Sequence, residues 1–275
     1  MIAGDDFLRR ALVRVAPASG ARVIVLTAKA EPADFEARLA DAKSTDFAWF
    51  PGDLSQTFDA WSIAGDGETL RVDAAGDDRW HRVREASHAA TAHVVEEREE
   101  GVIAPPLRWL GGGSFHADTR DPAWAAFGGA SFVVPRWSIG RRGEHAFVRF
   151  AFHAEELDRR DALLAEIDER IARAGMETPD PRARTISASV PPDADGVWIP
   201  LVEQALCEIE RGAVQKIVVA CRTSIPESVS PSATLARLRA RNLRATSFSI
   251  RREDSVFLGA TPERLIFSDK THALT

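Results

Sequence analysis

The chain has 275 residues, 45% of them hydrophobic and 28% charged, which is enough to bury a substantial core and is not a disordered composition. Its formal net charge of −6 gives no electrostatic footprint for nucleic acid, and a small anionic substrate would need a local cationic pocket. Only Cys207 and Cys221 are cysteines, which excludes a disulfide scaffold and a cysteine-rich zinc site.

The opening Met1-Ile2-Ala3-Gly4-Asp5-Asp6 is acidic and lacks the apolar stretch of a signal peptide. Apolar runs fall far short of the roughly 20 residues that span a bilayer. A cytoplasmic protein is expected, with neither membrane nor nucleic acid as partner.

Arg22-Val23-Ile24-Val25-Leu26 is short and β-branched, which predicts a strand. Asp46-Phe47-Ala48-Trp49-Phe50 predicts another, ended by the turn pair Pro51-Gly52. Residues 77–100 contain helix formers with no glycine or proline and predict one long helix, and Pro105-Pro106 bars any continuation. Leu110-Gly111-Gly112-Gly113-Ser114-Phe115 follows. A strand through Phe132-Val133-Val134 is then entered by Gly128-Gly129, a pattern of bulges or close backbone approach. A turn over Gly140 to Gly143 and a strand from His145 to Phe152 complete an antiparallel hairpin.

Leu157, Leu164, Ile167 and Ile171 share one face of a predicted helix over 154–174, with Gly175 as its cap. Residues 176–196, with Pro179, Pro181, Pro191 and Pro192, read as a linker. Trp198, Leu201, Val202, Ala205, Leu206 and Ile209 predict a second amphipathic helix that ends at Gly212. A strand from Lys216, a helix over 231–242 and two strands meeting at a turn over 259–263 complete the chain. The predicted class is α+β, with mixed and antiparallel sheets flanked by helices, because no steady βαβ rhythm appears. The predicted organisation is an N-terminal lobe over 1–175, the linker over 176–196, and the start of a catalytic region over 197–275.

There is no phosphate-binding loop and no Gly-x-Ser-x-Gly elbow, and Gly111-Gly112-Gly113 precedes no helix start. His88 and His93 are spaced wrongly to share a helix face as ligands. What remains is Lys216 and Glu263. Of 35 basic residues only Lys29, Lys43, Lys216 and Lys270 are lysines, and Lys216 opens the apolar run Ile217-Val218-Val219-Ala220-Cys221. Lysine, unlike arginine, can shed its proton near neutral pH when desolvated. Glu263 follows Pro262, whose ring restrains the backbone there, and Gly259 permits a conformation closed to other residues. From the residues alone, a lysine snorkelling at a strand end and a solvated turn glutamate are the stronger reading.

The order helix, Gly212, Lys216 and apolar strand, followed by Phe257-Leu258-Gly259-Ala260-Thr261-Pro262-Glu263-Arg264-Leu265, resembles the chorismate-binding enzyme family, and within it the isochorismate synthases of menaquinone and siderophore pathways. Gly128-Gly129-Ala130-Ser131-Phe132-Val133-Val134-Pro135-Arg136 is similar to an upstream segment of the same family. The resemblance implies the anthranilate synthase component I-like fold and an Mg²⁺-dependent isomerase that turns chorismate into isochorismate. It implies Lys216 as the general base on water attacking C2, and Glu263 as the general acid assisting loss of the C4 hydroxyl. Anthranilate synthases, which use ammonia, resemble this segment but carry glutamine in the place of Lys216. Gln215 stands one position earlier, so anthranilate, aminodeoxychorismate or salicylate synthase-type chemistry is the alternative.

Two departures accompany the resemblance. Cys221 stands where the family strand has arginine and Arg222 follows, which moves that guanidinium to the other face of a strand. Thr271-His272-Ala273-Leu274-Thr275 resembles the opening of a family motif after which relatives continue. The resemblance therefore implies an incomplete sequence whose Mg²⁺ ligands and most carboxylate-holding groups lie elsewhere, with no metal site of its own and no activity alone. A non-catalytic remnant of the fold is the competing reading.

Overall fold

The computed structural model describes residues 5–16, 20–33, 35, 45–52, 60–117, 121–173, 196–220, 222, 229–263, 267–268 and 273–274. The chain divides into two units, Met1–Pro181 with Pro231–Thr275, and Arg182–Ser230. The first unit carries helix α1 (Asp5–Arg14), strands β1 (Val23–Ala30), β2 (Phe47–Phe50), β3 (Ser62–Asp66) and β4 (Leu70–Ala74), then helix α2 (Arg79–Thr91). Strands β5 (Val94–Arg98), β6 (Leu110–Gly113), β7 (Ala130–Val134), β8 (Trp137–Arg142) and β9 (His145–His153) follow, and then a 3-10 turn, Ala154–Arg159, running into helix α3 (Arg160–Arg173). The second unit contains helix α4 (Trp198–Glu210). The chain rejoins the first unit with helix α5 (Pro231–Arg241), strands β10 (Thr246–Arg252) and β11 (Ser255–Thr261), and the short pair β12 (Phe267–Ser268) and β13 (Ala273–Leu274).

An 8-stranded sheet in the order β11-β10-β2-β3-β8-β9-β1-β5 dominates the first unit, accompanied by a 3-stranded sheet in the order β4-β7-β6. All neighbours in the large sheet are antiparallel except β1 and β5, so the predicted α+β class with mixed sheets holds. Strand alternation sorts the core. Ile24, Leu26 and Ala28 of β1 pack with Phe7, Leu8, Ala11 and Leu12 of α1 and with Leu163 and Ile167 of α3. The intervening Val23 and Val25 pack with Val134 and Ala151 in a separate cluster. β1 is therefore buried on both faces over most of its length, as the apolar run Val23-Ile24-Val25-Leu26 requires.

Several expected elements change in the structure. The single helix expected over 77–100 is α2 followed by β5, because Val94 and Val95 are β-branched and pair in parallel with Val23 and Ile24. Gly140 lies inside β8 and not in the turn: it faces Phe147 across the ladder, and a Cβ there would meet the Phe147 ring at 2.3 Å. The helix expected from Ala154 begins as a 3-10 turn. The expected cap Gly175 and almost all of the 176–196 linker lie outside the described residues. The expected grouping of 197–275 as one region also changes, because β10 pairs with β2 and so joins residues 231–275 to the first unit.

Two devices hold the packing. Arg136, at the end of the Gly128–Arg136 motif, donates to both oxygens of Glu156 at 3.1 and 2.9 Å and to Glu166 at 2.8 and 2.7 Å. Trp137 Nε1 donates to Glu166 at 2.7 Å, tying β8 to α3. Burial alone would raise the Glu156 carboxyl, but hydrogen bonds from Arg136 and the His153 backbone N–H outweigh it and hold the group below its ordinary value. The second device is the glycine strand β6. A Cβ on Gly111 would lie 2.0 Å from the Ser131 carbonyl oxygen, and one on Gly113 would lie 2.6 Å from the Trp80 ring, whereas Gly112 meets nothing closer than Ile250 at 4.0 Å. Two of the three glycines are required by close approach.

Gly111→Ala should cost about 1–3 kcal/mol in urea denaturation, the scale of overpacking, while Gly112→Ala should be near neutral. Because Glu156 is depressed in the folded state, its contribution is complete above the ordinary carboxylate range and is lost as pH falls through the folded value. Between about pH 6 and pH 3 the melting temperature should therefore drop more steeply for the natural chain than for Glu156→Gln.

Candidate active site

The Glu263 end of the candidate pair is built on the hairpin β10–β11. β10 alternates Ser247 and Ser249 with Phe248 and Ile250, pairs with β2 through Ser247 opposite Phe50 and Ile250 opposite Phe47, and carries β11 at the edge of the sheet. Residues 259–261 were expected in a turn, yet they continue β11 to Thr261, in register with Phe248, Ser247 and Thr246. Gly259 does not have a left-handed backbone: it faces Phe248, and a Cβ would lie 3.1 Å from the Phe248 ring. Its role is to accept an aromatic ring laid across the strand, so the expected special conformation is corrected to a packing requirement.

The turn starts at Pro262. Glu263 N–H donates to Thr261 Oγ1 at 3.3 Å, and the same hydroxyl lies 3.2 Å from the Glu263 carbonyl oxygen, to which it donates. Thr261 thereby ties the backbone of Glu263 to the strand end, as short hydroxyl side chains do in turns. Glu263 itself is exposed. Arg264, Leu265 and Ile266, the rest of the expected second strand, lie outside the described residues except for its last residue, Phe267, which belongs to β12.

Lys216 belongs to the second unit. There α4 ends as its sequence predicts: Gly212 adopts φ 72°, its N–H reaches the Ile209 carbonyl at 2.9 Å, and Ala213 N–H reaches the Glu208 carbonyl at 3.1 Å. The strand expected from Lys216 is absent: residues 216–220 have no regular structure and pair with no described strand. The physical reason is that β-branched residues favour a strand only when a neighbouring strand supplies hydrogen bonds and side-chain contacts. Lys216 is exposed, and Val218 is 79% exposed, so the expected apolar cover is not provided within this unit. Cys221 lies outside the described residues, and with no strand here the question of which face Arg222 takes does not arise.

Arg136, the last residue of the motif shared with the upstream family segment, is committed to Glu156 and Glu166 and acts in packing. Among the described residues no group of three or more histidine, cysteine, aspartate or glutamate side chains is placed to hold a metal ion. No helix among them is long and apolar enough to cross a membrane. Sequence reasoning missed β10, although its period-2 alternation between Asn242 and Glu253-Asp254 is a strand signal.

The chain is similar to known proteins over nearly its whole length. The family model described as chorismate binding enzyme matches residues 10–275. A salicylate biosynthesis isochorismate synthase from Pseudomonas aeruginosa is 29% identical over 227 residues, covering 79% of this chain and 45% of that protein. The structure is similar to that of MenF, the menaquinone-specific isochorismate synthase from Escherichia coli, with a TM-score of 0.54, 18% identity, and coverage of 96% of this chain and 55% of that one. The chain thus spans about half the length of the relatives it matches.

Brief acetylation by a water-soluble active ester, read by mass spectrometry, should modify Lys216 as readily as the exposed Lys29 of β1. Marked protection of Lys216 would contradict its placement.

Proposed function

The chain belongs to the chorismate-binding enzyme family, and from that premise we propose that it is part of an isochorismate synthase, an isomerase acting on chorismate. Lys216 removes a proton from water as its oxygen attacks C2 of the ring, and Glu263 gives a proton to the hydroxyl departing from C4. The ring oxygen count is unchanged, so the reaction is an isomerisation.

The observation that carries this reading is the lysine itself. A lysine base accepts a proton from water, which a glutamine side chain cannot do, so Lys216 in place of glutamine favours water over ammonia as nucleophile. The names of the two similar proteins support the same branch. Glu263 suits the acid role because its backbone is restrained by Pro262 and Thr261 at the end of a sheet strand, a firmer base than a free loop.

Lysine is a base only where surrounding groups strip it of water. Lys216 is exposed in its own unit, so the active form must cover it. Mg²⁺ dependence is part of the same proposal. The same reading places the protein in the cytoplasm, with its product feeding menaquinone or siderophore and salicylate biosynthesis. The 275-residue chain alone is proposed to lack turnover, since its base stands uncovered.

Expressed from its own gene and supplied with Mg²⁺, the protein should convert chorismate to isochorismate. Lys216→Gln and Glu263→Gln should each lower that rate by about 10²- to 10⁴-fold. Unchanged output from Lys216→Gln would remove the lysine from the mechanism, and Mg²⁺-dependent turnover by the 275-residue chain alone would overturn its proposed inactivity.

A further inference from the structure

A cavity of about 640 Å³ in the first unit has no part in the acid–base chemistry above. One wall is aromatic: Phe257 of β11 meets Trp124 at 4.8 Å, Phe248 at 5.2 Å and Phe127 at 6.2 Å between ring centroids. Trp49 of β2 also lines it, and Trp49, Trp124 and Phe257 remain 40%, 37% and 38% exposed. The glycine strand β6 forms another part of the lining, where Gly112 leaves open the space a side chain would fill. Arg79, itself buried, fixes that side by donating to the carbonyls of Ser114 at 2.9 Å and Phe115 at 3.1 Å.

Among the described residues the polar lining consists of Ser114, His116, Asp121, Ser131 and Arg252, of which Arg252 is the permanent cation. Arg252, at the end of β10, gives Nη1 to the Arg251 carbonyl at 3.0 Å and reaches Ser131 Oγ with Nη2 at 3.5 Å, while its buried Nε has no acceptor. Both acceptors are neutral, and no carboxylate among the described residues is in contact with the guanidinium. Burial pushes Arg252 below its ordinary value. Arg71 adds to the shift, while Glu68, Asp73 and Asp46 oppose it from longer range. A half-buried guanidinium whose acceptors are neutral calls for an anion, and flat aromatic walls call for a flat ring. The volume matches a small-molecule site lined mainly by apolar groups with a few polar ones.

We propose that this cavity binds a planar aromatic carboxylate, its ring against Trp49 and the Trp124–Phe257 cluster and its carboxylate on Arg252. Neither Lys216 nor Glu263 is among its described lining residues, and the proposal stands independently of the reaction assigned to them. The ligand is held through one charge-assisted contact and ring packing, so binding should be moderate and dependent on charge.

Isothermal titration of the 275-residue chain with 2-naphthoate tests this, with neutral 2-naphthamide as the comparison. The expected result is saturable one-site binding of 2-naphthoate, weaker by at least about tenfold for 2-naphthamide and for Arg252→Gln. Gly112→Leu should abolish binding of both probes by filling the cavity while Arg252 stays in place. Its thermal melt, and that of Arg252→Gln, would show that the fold persists. Absence of saturable binding, equal affinity for the two probes, or undiminished binding by Gly112→Leu would overturn the proposal.

Discussion

The pairing of β10 with β2 is the constraint on which the rest of the arrangement depends. Ser247, Phe248, Ser249 and Ile250 lie opposite Phe50, Trp49, Ala48 and Phe47, and through that ladder a hairpin distant in sequence becomes the edge of the main sheet. Everything of chemical interest in the first unit follows from it. β11 is aligned by β10, Gly259 receives the Phe248 ring, and Glu263 emerges at a fixed end, restrained by Thr261 and Pro262. The same ladder carries Phe248, Ile250 and Arg252 to the aromatic cavity.

The sheet that β10 joins is held by interactions that its apolar sequence does not advertise. Arg136 spans two carboxylates, Glu156 and Glu166, and so connects the β7–β8 corner to the 3-10 turn and to α3. Arg149 works similarly beneath β1, donating to Thr27, Glu96 and the Pro105 carbonyl; burial pushes it down to about 10, so it keeps its charge at neutral pH. Such buried charges add little net energy over apolar packing, but removing one partner is costly, and that fixes the register.

Much of the fold was legible where one physical signal dominated. The β-branched run of β1, the phenylalanine-rich run of β9 and the amphipathic stretch of α4 formed the expected elements, and Gly212 capped α4 as its position required. The misreadings arose where tertiary pairing overrode local preference. Residues 94–98 are compatible with a helix but are drawn into the sheet by β1, and 259–261 carry turn-like composition but extend β11. At Lys216 the signal ran the other way: an apolar β-branched run has no strand partner among the described residues and is irregular over 216–220. Of the site, the sequence offered the proposed acid Glu263 through the Phe257–Leu265 motif and the proposed base Lys216 through its place after Gly212. The cavity with Arg252 was not legible, because its lining comes from segments far apart in the chain.

In the proposed reaction water activated by a lysine is the nucleophile that adds at C2, in place of ammonia or a hydroxyl migrating within the substrate. Running the reaction of the gene-encoded protein in oxygen-18-labelled water and locating the label in the product by mass spectrometry and NMR tests it directly. The account predicts isochorismate with solvent oxygen at C2. An isochorismate whose C2 hydroxyl carries no solvent label, or an aminated product formed in place of isochorismate, would contradict it.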